Sequence, residues 1–271
     1  MKCYIPISLF VCLVLLMSCS KKVQQITSST ITSRQLKYVH SLPKKNNFWI
    51  FLMAGQSNMA GRGKVEASDT ISNRRVLALD SLNRWYVAKE PLHFYEPTLR
   101  GLDCGLTFGK ELAHALNDSI YIGIIPCAVG GSSIEQWLGD SLHRNVRLYT
   151  NFKEKLSWAR EQGTLKGILW HQGESNAHRK DFKNYEENLN TLFTRFRTLA
   201  QNDTLTILAG ELGRYLQGPT FQQYPDSVNA TLRKMAAADK NIKVIFFMKF
   251  RFGYKFCGKN KLLLLTDVKT Y

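Results

Sequence analysis

Phe48-Trp49-Ile50-Phe51-Leu52-Met53-Ala54 runs straight into Gly55-Gln56-Ser57-Asn58-Met59-Ala60-Gly61. A run of that length, apolar and aromatic throughout, reads as a buried strand. The chain then leaves the strand through glycine and presents a serine at its carboxyl end, where open α/β sheets place their chemistry. Ser57 could simply cap the helix that follows, since serine is favoured there. Glycine, glutamine and asparagine crowd round it, however, on a strand-to-helix turn. The spacing differs from the G-x-S-x-G elbow, because the fifth position is Met59. A second polar cluster, Trp170-His171-Gln172-Gly173-Glu174-Ser175-Asn176, follows another apolar strand candidate, Leu165–Leu169. Two such clusters at strand ends predict a single site.

Working outward, strand candidates alternate with helical patterns. Strands are expected at Phe48–Ala54, Ile120–Pro126, Leu165–Leu169, Leu205–Ala209 and Ile242–Phe247. Helices are expected at Leu106–Leu116, Asn145–Gln162, Asp181–Ala200 and Asp226–Ala238. This alternation predicts right-handed βαβ units and a parallel sheet. Between the second strand and the next helix lies Gly123-Ile-Ile-Pro-Cys-Ala-Val-Gly130-Gly131-Ser-Ser-Ile-Glu-Gln-Trp137. Gly130-Gly131 would let backbone N–H groups approach a ligand, as an oxyanion hole requires, or would simply make a tight turn. His171-Gln172-Gly173-Glu174 offers polar groups after a strand, or forms an internally hydrogen-bonded loop.

The formal charge of +16 raises the question of a nucleic-acid partner. Residues 1–46 carry seven Lys/Arg and no acid, and residues 242–271 carry seven Lys/Arg and one acid. The remainder, 47–241, is almost balanced, with 23 basic and 20 acidic residues. A basic stripe on a folded face is what nucleic-acid binding needs, so no nucleic-acid partner is expected. At the amino end, Lys2 precedes an apolar segment, Tyr4–Met17, too short to span a bilayer comfortably. It ends in Leu16-Met17-Ser18-Cys19, which resembles a bacterial lipoprotein lipobox. That resemblance implies a signal peptide over 1–19, lipid on Cys19 and a place in the bacterial cell envelope, anchored in the periplasm or at the outer membrane. An ordinary signal peptide or an uncut anchor is the alternative. Residues 20–46, rich in Ser, Thr, Lys and Gln, read as a flexible tether. Cys104, Cys127 and Cys257 then remain of the six cysteines. A Cys104–Cys127 bridge and buried free thiols are both open. No Cys/His spacing points to zinc or another metal.

Taken together, Gln56-Ser57-Asn58-Met59, the Gly130-Gly131-Ser132-Ser133 turn with Trp137, and Trp170-His171-Gln172-Gly173-Glu174-Ser175-Asn176 resemble the sialate O-acetylesterase / carbohydrate acetylesterase family of the SGNH (GDSL-like) hydrolase superfamily. The resemblance spans about residues 47–247, so the esterase domain is expected over 47–248. It implies a three-layer α/β/α fold with a flavodoxin-like parallel sheet, and removal of acetyl groups from an acetylated glycan or sialic acid without any cofactor. It also implies roles. Ser57 becomes the nucleophile. The Ser57 N–H, Gly130 or Gly131 and the Gln172 side chain become the oxyanion hole. Gln56, Asn58, Trp137, Glu174 and Asn176 line the substrate site, with Trp137 stacking on a sugar ring and Glu174 positioning it.

One part of the family pattern is missing. The family places its base after the last strand, as an Asp and a His three residues apart. The six histidines here are His40, His93, His114, His143, His171 and His178, and none lies beyond 178. Residues 249–271 are basic and aromatic, with Asp267 as the one acid. The expectation is a truncated or frameshifted end, with real divergence into a partner-binding tail as the alternative. Two functions follow: an acetylesterase impaired by loss of its Asp-x-x-His, or a non-catalytic glycan-binding surface lipoprotein that keeps the pocket.

Overall fold

The structure, a computed structural model, describes residues 36–177, 182, 184–213 and 224–245. The signal segment, Cys19, His178, Cys257 and residues 249–271 lie outside the described residues.

The opening run forms β1 (Phe48–Gly55) and passes at once into a one-turn helix, α1 (Ser57–Ala60). A hairpin of β2 (Val76–Leu79) and β3 (Trp85–Val87) follows, then α2 (Gly105–Ala115) and β4 (Tyr121–Pro126). Next come α3 (Ile134–Gly139), a small ribbon of β5 (Leu142–His143) and β6 (Val146–Arg147), and α4 (Leu148–Gln162). The chain continues through β7 (Thr164–His171), α5 (Tyr185–Ala200), β8 (Thr206–Gly210), α6 (Tyr224–Ala238) and β9 (Ile242–Ile245). The main sheet runs β3-β2-β4-β1-β7-β8-β9, parallel throughout except for the β2–β3 pair. With that edge hairpin set aside, the five remaining strands have the flavodoxin-like order 2-1-3-4-5.

β1 is buried on both sides, and its period of two divides it between two cores. Phe48, Ile50, Leu52 and Ala54 join α3, α4, α5 and α6 on one face. Phe51 and Met53 join α1 and α2 on the other. The three-layer α/β/α expectation therefore holds. The five expected strands are the five helix-linked ones, with ends displaced by one or two residues and β9 described only to Ile245. The β2–β3 hairpin and the β5–β6 ribbon were not expected, because segments of two to four residues carry no readable period.

One other expectation changes, and one open alternative is decided. The stretch assigned to a flexible tether lies against the sheet from Lys37 onward. Val39 N donates to Trp85 O at 2.9 Å, Val87 N donates to Lys37 O at 2.9 Å, and the Tyr38 hydroxyl reaches Asp80 at 3.1 Å. Cys104 and Cys127 are free thiols, and burial pushes the Cys127 thiol up to about 12. Among the described residues no helix is long and apolar enough to cross a membrane, and no group of His, Cys, Asp and Glu could hold a metal ion.

Near the start of α2 lies a buried acid that sequence reading passed over. Glu90 is fully buried, and neither oxygen completes a hydrogen bond among the described residues, although the N–H groups of Asp103, Leu106 and Leu92 face it. Desolvation, reinforced by the neighbouring Asp103 charge, pushes its carboxyl up to about 10. An acid whose pKa rises on folding takes up a proton. Stability should thus be highest below the ordinary carboxylate pKa and decline from there toward pH 10. Glu90→Gln should remove that slope and gain up to about 5 kcal/mol over the parent at pH 8, which lies about 3.5 units above the ordinary value of 4.5, each pKa unit being worth about 1.4 kcal/mol. Urea unfolding at pH 6 and pH 9 checks this; an equal penalty at both values would show Glu90 ionised in the fold.

Candidate active site

β1 sits between β4 and β7, and the chain departs from it toward opposite sides, which makes its carboxyl end the topological switch point of the sheet. Gly55 is paired with His171, and a Cβ on Gly55 would lie 2.0 Å from the His171 carbonyl oxygen. Its φ of +131° is likewise open to glycine alone. Only glycine lets β1 and β7 close up while the chain turns out to Ser57. Ser57 opens α1 and is half-buried. Its N–H belongs to a first helical turn, where no intrahelical acceptor exists.

The β4 loop arrives on one side. Cys127 N and Val129 N donate to Met53 O and Gly55 O at 2.8 and 3.2 Å, continuing the β1 pairing. Ser132, fully buried, donates from Oγ to Gly55 O at 3.1 Å and accepts from Trp137 Nε1 at 3.0 Å. Gly131 is exposed, has φ +76°, and its N–H meets no acceptor among the described residues. Ser133 then caps α3 in a reciprocal box: its N–H donates to Gln136 Oε1 at 2.9 Å, and its Oγ accepts from Gln136 N at 3.4 Å. The spacing Ser133-x-x-Gln136 announces that box in the sequence.

The β7 loop arrives on the other side. Gln56 Oε1 accepts from Ser175 N at 3.1 Å, Gly173 N at 3.4 Å and Gln172 Nε2 at 3.3 Å. Asn58 Nδ2 donates to Glu174 Oε1, beside Ser57. Glu174 is buried, its Oε1 lies 3.6 Å from His171 Nδ1, and its Oε2 has no hydrogen-bond partner among the described residues. His171 is itself buried, with Nε2 against Glu211 O at 3.1 Å.

The structure thus gathers Ser57, Asn58, Gly131 and Glu174 at one end of the sheet and assigns other work to the remaining candidates. Gln172 is fully buried and is not a donor aimed at Ser57. Its Nε2 is taken up by Asn176 Oδ1 at 2.7 Å, Ser132 O at 3.2 Å and Gln56. The Tyr185 hydroxyl donates to its carbonyl and its Oε1 at 3.1 and 3.2 Å. Burial, with the charges of Glu174 and Glu135, pushes that hydroxyl well up, so it stays a donor. Gln172 is a buried tie between the two loops. Gln56, buried as well, holds the turn at 172–175 rather than lining an open site. Asn176 is occupied by the Ile134 N–H at 3.1 Å and by both Glu135 oxygens at 3.0 and 3.1 Å, anchoring α3. The Gly130 N–H is likewise occupied, by Glu96 Oε2 at 2.6 Å. Trp137 has no exposed surface and packs edge-on against Trp170 at 5.6 Å, so it cannot stack on a sugar. Side chains that polar spacing marks for substrate are instead consumed in joining two loops, because a buried amide left unpaired costs more than a surface one.

Glu96, Arg62, Arg144 and His143, all close to the Gly130–Gly131 turn, escaped sequence reading. They come from three separate stretches of the chain and follow no period. Burial alone would raise the Glu96 carboxyl. The Arg62 hydrogen bond, the Gly130 N–H and the two guanidinium charges more than offset this and hold it below the ordinary carboxylate value.

With this geometry in hand, residues 47–249 match the family model described as "Carbohydrate esterase, sialic acid-specific acetylesterase". The chain is similar to a probable carbohydrate esterase of Arabidopsis thaliana, 34% identical over 169 residues, which are 55% of this chain and 62% of that protein. The match therefore spans less than two thirds of that relative. A crystal structure of an Arabidopsis thaliana protein superposes with a TM-score of 0.66 at 25% identity, covering 83% of this chain and 98% of that one. NanS superposes with a TM-score of 0.62 at 17% identity, covering 78% of this chain and 80% of that one, which speaks to the fold. The same holds for a carbohydrate acetylesterase from Xanthomonas citri, with a TM-score of 0.52 at 19% identity over 81% of this chain and 54% of that one. The match of the family model across most of the chain, on the fold and site just described, shows that this chain belongs to the sialic acid-specific acetylesterase family of carbohydrate esterases, a family of carboxylic ester hydrolases.

Proposed function

We propose that this chain is built to remove O-acetyl groups from sugars, sialic acid among them, with Ser57 as nucleophile, and that it is impaired over its 271 residues. The observation carrying this reading is the place of Ser57: the first residue of α1, at the carboxyl end of the central strand, next in sequence to Asn58, whose side chain pairs with Glu174. In the reaction, a base takes the Ser57 proton while Oγ attacks the acetyl carbonyl. The Ser57 and Gly131 N–H groups face the oxygen on which charge develops. The sugar hydroxyl leaves, and water then releases acetate from the acetyl-serine. Asn58 and Glu174 are the side chains best placed to meet the sugar.

The impairment follows from the histidines. His171 is buried on Glu211 O, His93 is buried on Asp103 at 2.9 Å, and both ring nitrogens of His143 are engaged. No histidine follows residue 178 in this sequence. That same feature favours a second reading, a glycan-binding protein without turnover. We further propose lipid on Cys19 and residence in a bacterial envelope, on the strength of Leu16-Met17-Ser18-Cys19.

A fluorophosphonate probe on a chain given an Asp-x-x-His end should label Ser57, and Ser57→Ala should abolish labelling. Equal labelling of Ser57→Ala would remove it as nucleophile. Mass spectrometry of the amino-terminal peptide reads the lipid; a retained Met1 with unmodified Cys19 would refute the anchor.

A further inference from the structure

Gly130 is gripped at both of its peptides, the preceding one by its N–H and the following one by its carbonyl. The Gly130 N–H donates to Glu96 Oε2 at 2.6 Å, and the Gly130 carbonyl accepts from His143 Nε2 at 2.8 Å. That carbonyl and the Gly131 N–H belong to one planar trans peptide, so they point in opposite directions. Fixing the carbonyl on His143 therefore fixes where the Gly131 N–H points. The histidine is set in turn. Gln136 Oε1 accepts from Ser133 N at 2.9 Å, which leaves Gln136 Nε2 as the donor to His143 Nδ1 at 3.1 Å. Nδ1 is then the acceptor, and Nε2 carries the hydrogen for Gly130. Glu96 is set as well, by Arg62 at 2.7 Å and Arg144 at 2.5 Å. The arginine contact is close: a Cβ on Gly130 would stand 2.1 Å from Arg62 Nη2. The turn itself is pinned to the end of β1 through Ser132 Oγ on Gly55 O.

We propose that His143 and Glu96 are positioning residues: His143 locks the Gly130–Gly131 peptide by its carbonyl, Glu96 steadies Gly130 through the N–H of the preceding peptide, and together they present the Gly131 N–H to the oxyanion formed at Ser57. The oxyanion rests on the esterase reading above; the lock is a property of the fold by itself. Its value lies in what a flip would do. Rotating this peptide would turn the negative end of a carbonyl toward the developing charge, in place of a donor. A Gly-Gly turn without such contacts resists rotation poorly, since neither residue has a side chain to oppose it.

The lock can be read in the full 271-residue chain without turnover, by 15N relaxation of the backbone amides. Gly131 should have an order parameter near ~0.85 in the parent and fall below ~0.6 in His143→Ala, with β1 and β4 unchanged. His143→Gln, whose amide nitrogen can donate to the same carbonyl, should recover most of the rigidity. It also tests the idea if the alanine variant fails to fold. In a chain given an Asp-x-x-His end, His143→Ala should lower kcat about 10²-fold with KM little changed, the pattern for losing a donor used in the transition state. Glu96→Gln, which keeps an acceptor for Gly130, should be milder than Glu96→Ala. A Gly131 amide as rigid in His143→Ala as in the parent overturns the proposal. So does an unchanged kcat when the turn has loosened. If the extended parent fails to hydrolyse esters, the esterase reading falls and the relaxation data alone decide the lock.

Discussion

Given an end that carries Asp-x-x-His after residue 247, the chain should hydrolyse an aryl acetate on the order of 10⁴–10⁶ times faster than the 271-residue chain, and Ser57→Ala should erase that gain. A serine hydroxyl is a poor nucleophile at neutral pH and needs a neighbouring base to accept its proton. The histidines described near the strand ends are poorly disposed to serve. Using His171 would mean breaking its 3.1 Å bond to Glu211 O or turning Nδ1 away from Glu174. Using His143 would release the Gly130 carbonyl or the Gln136 amide. Some rate above water should survive in the shorter chain, because the backbone donors and the binding surface still act. The assay compares both chains on an aryl acetate and an acetylated sugar. Comparable turnover would show that the added Asp-x-x-His is not the source of the base, and would direct attention to His171 and to His178.

Trp137→Ala should cost about 3–5 kcal/mol of stability, the range for emptying a buried aromatic site. Trp137 sits at the centre of a ring cluster, edge-on to Trp170 at 5.6 Å, Phe196 at 6.1 Å and Phe152 at 6.3 Å. Its indole N–H also holds Ser132, so the change leaves a hydroxyl short of a donor beside the cavity. Urea unfolding should show a lower midpoint with an unchanged slope. Trp137→Phe should lie between the two, keeping most of the ring packing and losing the hydrogen bond. A stable Trp137→Ala variant that has lost only its affinity for an acetylated sugar would restore the stacking role that burial denies it.

How far the sequence reaches is clear from particular residues. The run Phe48–Ala54, the glycine that ends it and the serine that follows decide the central strand and its exposed end, because apolar periodicity and glycine geometry are local properties. The same holds for the five helix-linked strands and for the three motifs that carry the family resemblance. What tertiary structure decided is which polar side chains face outward. Gln56, Gln172 and Asn176 stand beside the serine loop just as substrate ligands would, and nothing in their spacing separates the two roles. Only the approach of the β4 loop to the β7 loop supplies Gln172 with Ser132 O and Asn176 with Glu135, and so closes their hydrogen bonds inside the protein. Trp137 follows the same logic: its place near the Gly-Gly turn is legible, but its burial depends on four helices meeting one face of the sheet. Glu96 lies in a loop 34 residues before Gly130, and His143 lies in β5, 13 residues after it. Their contact with its two ends is long-range information, set by packing and by no local pattern.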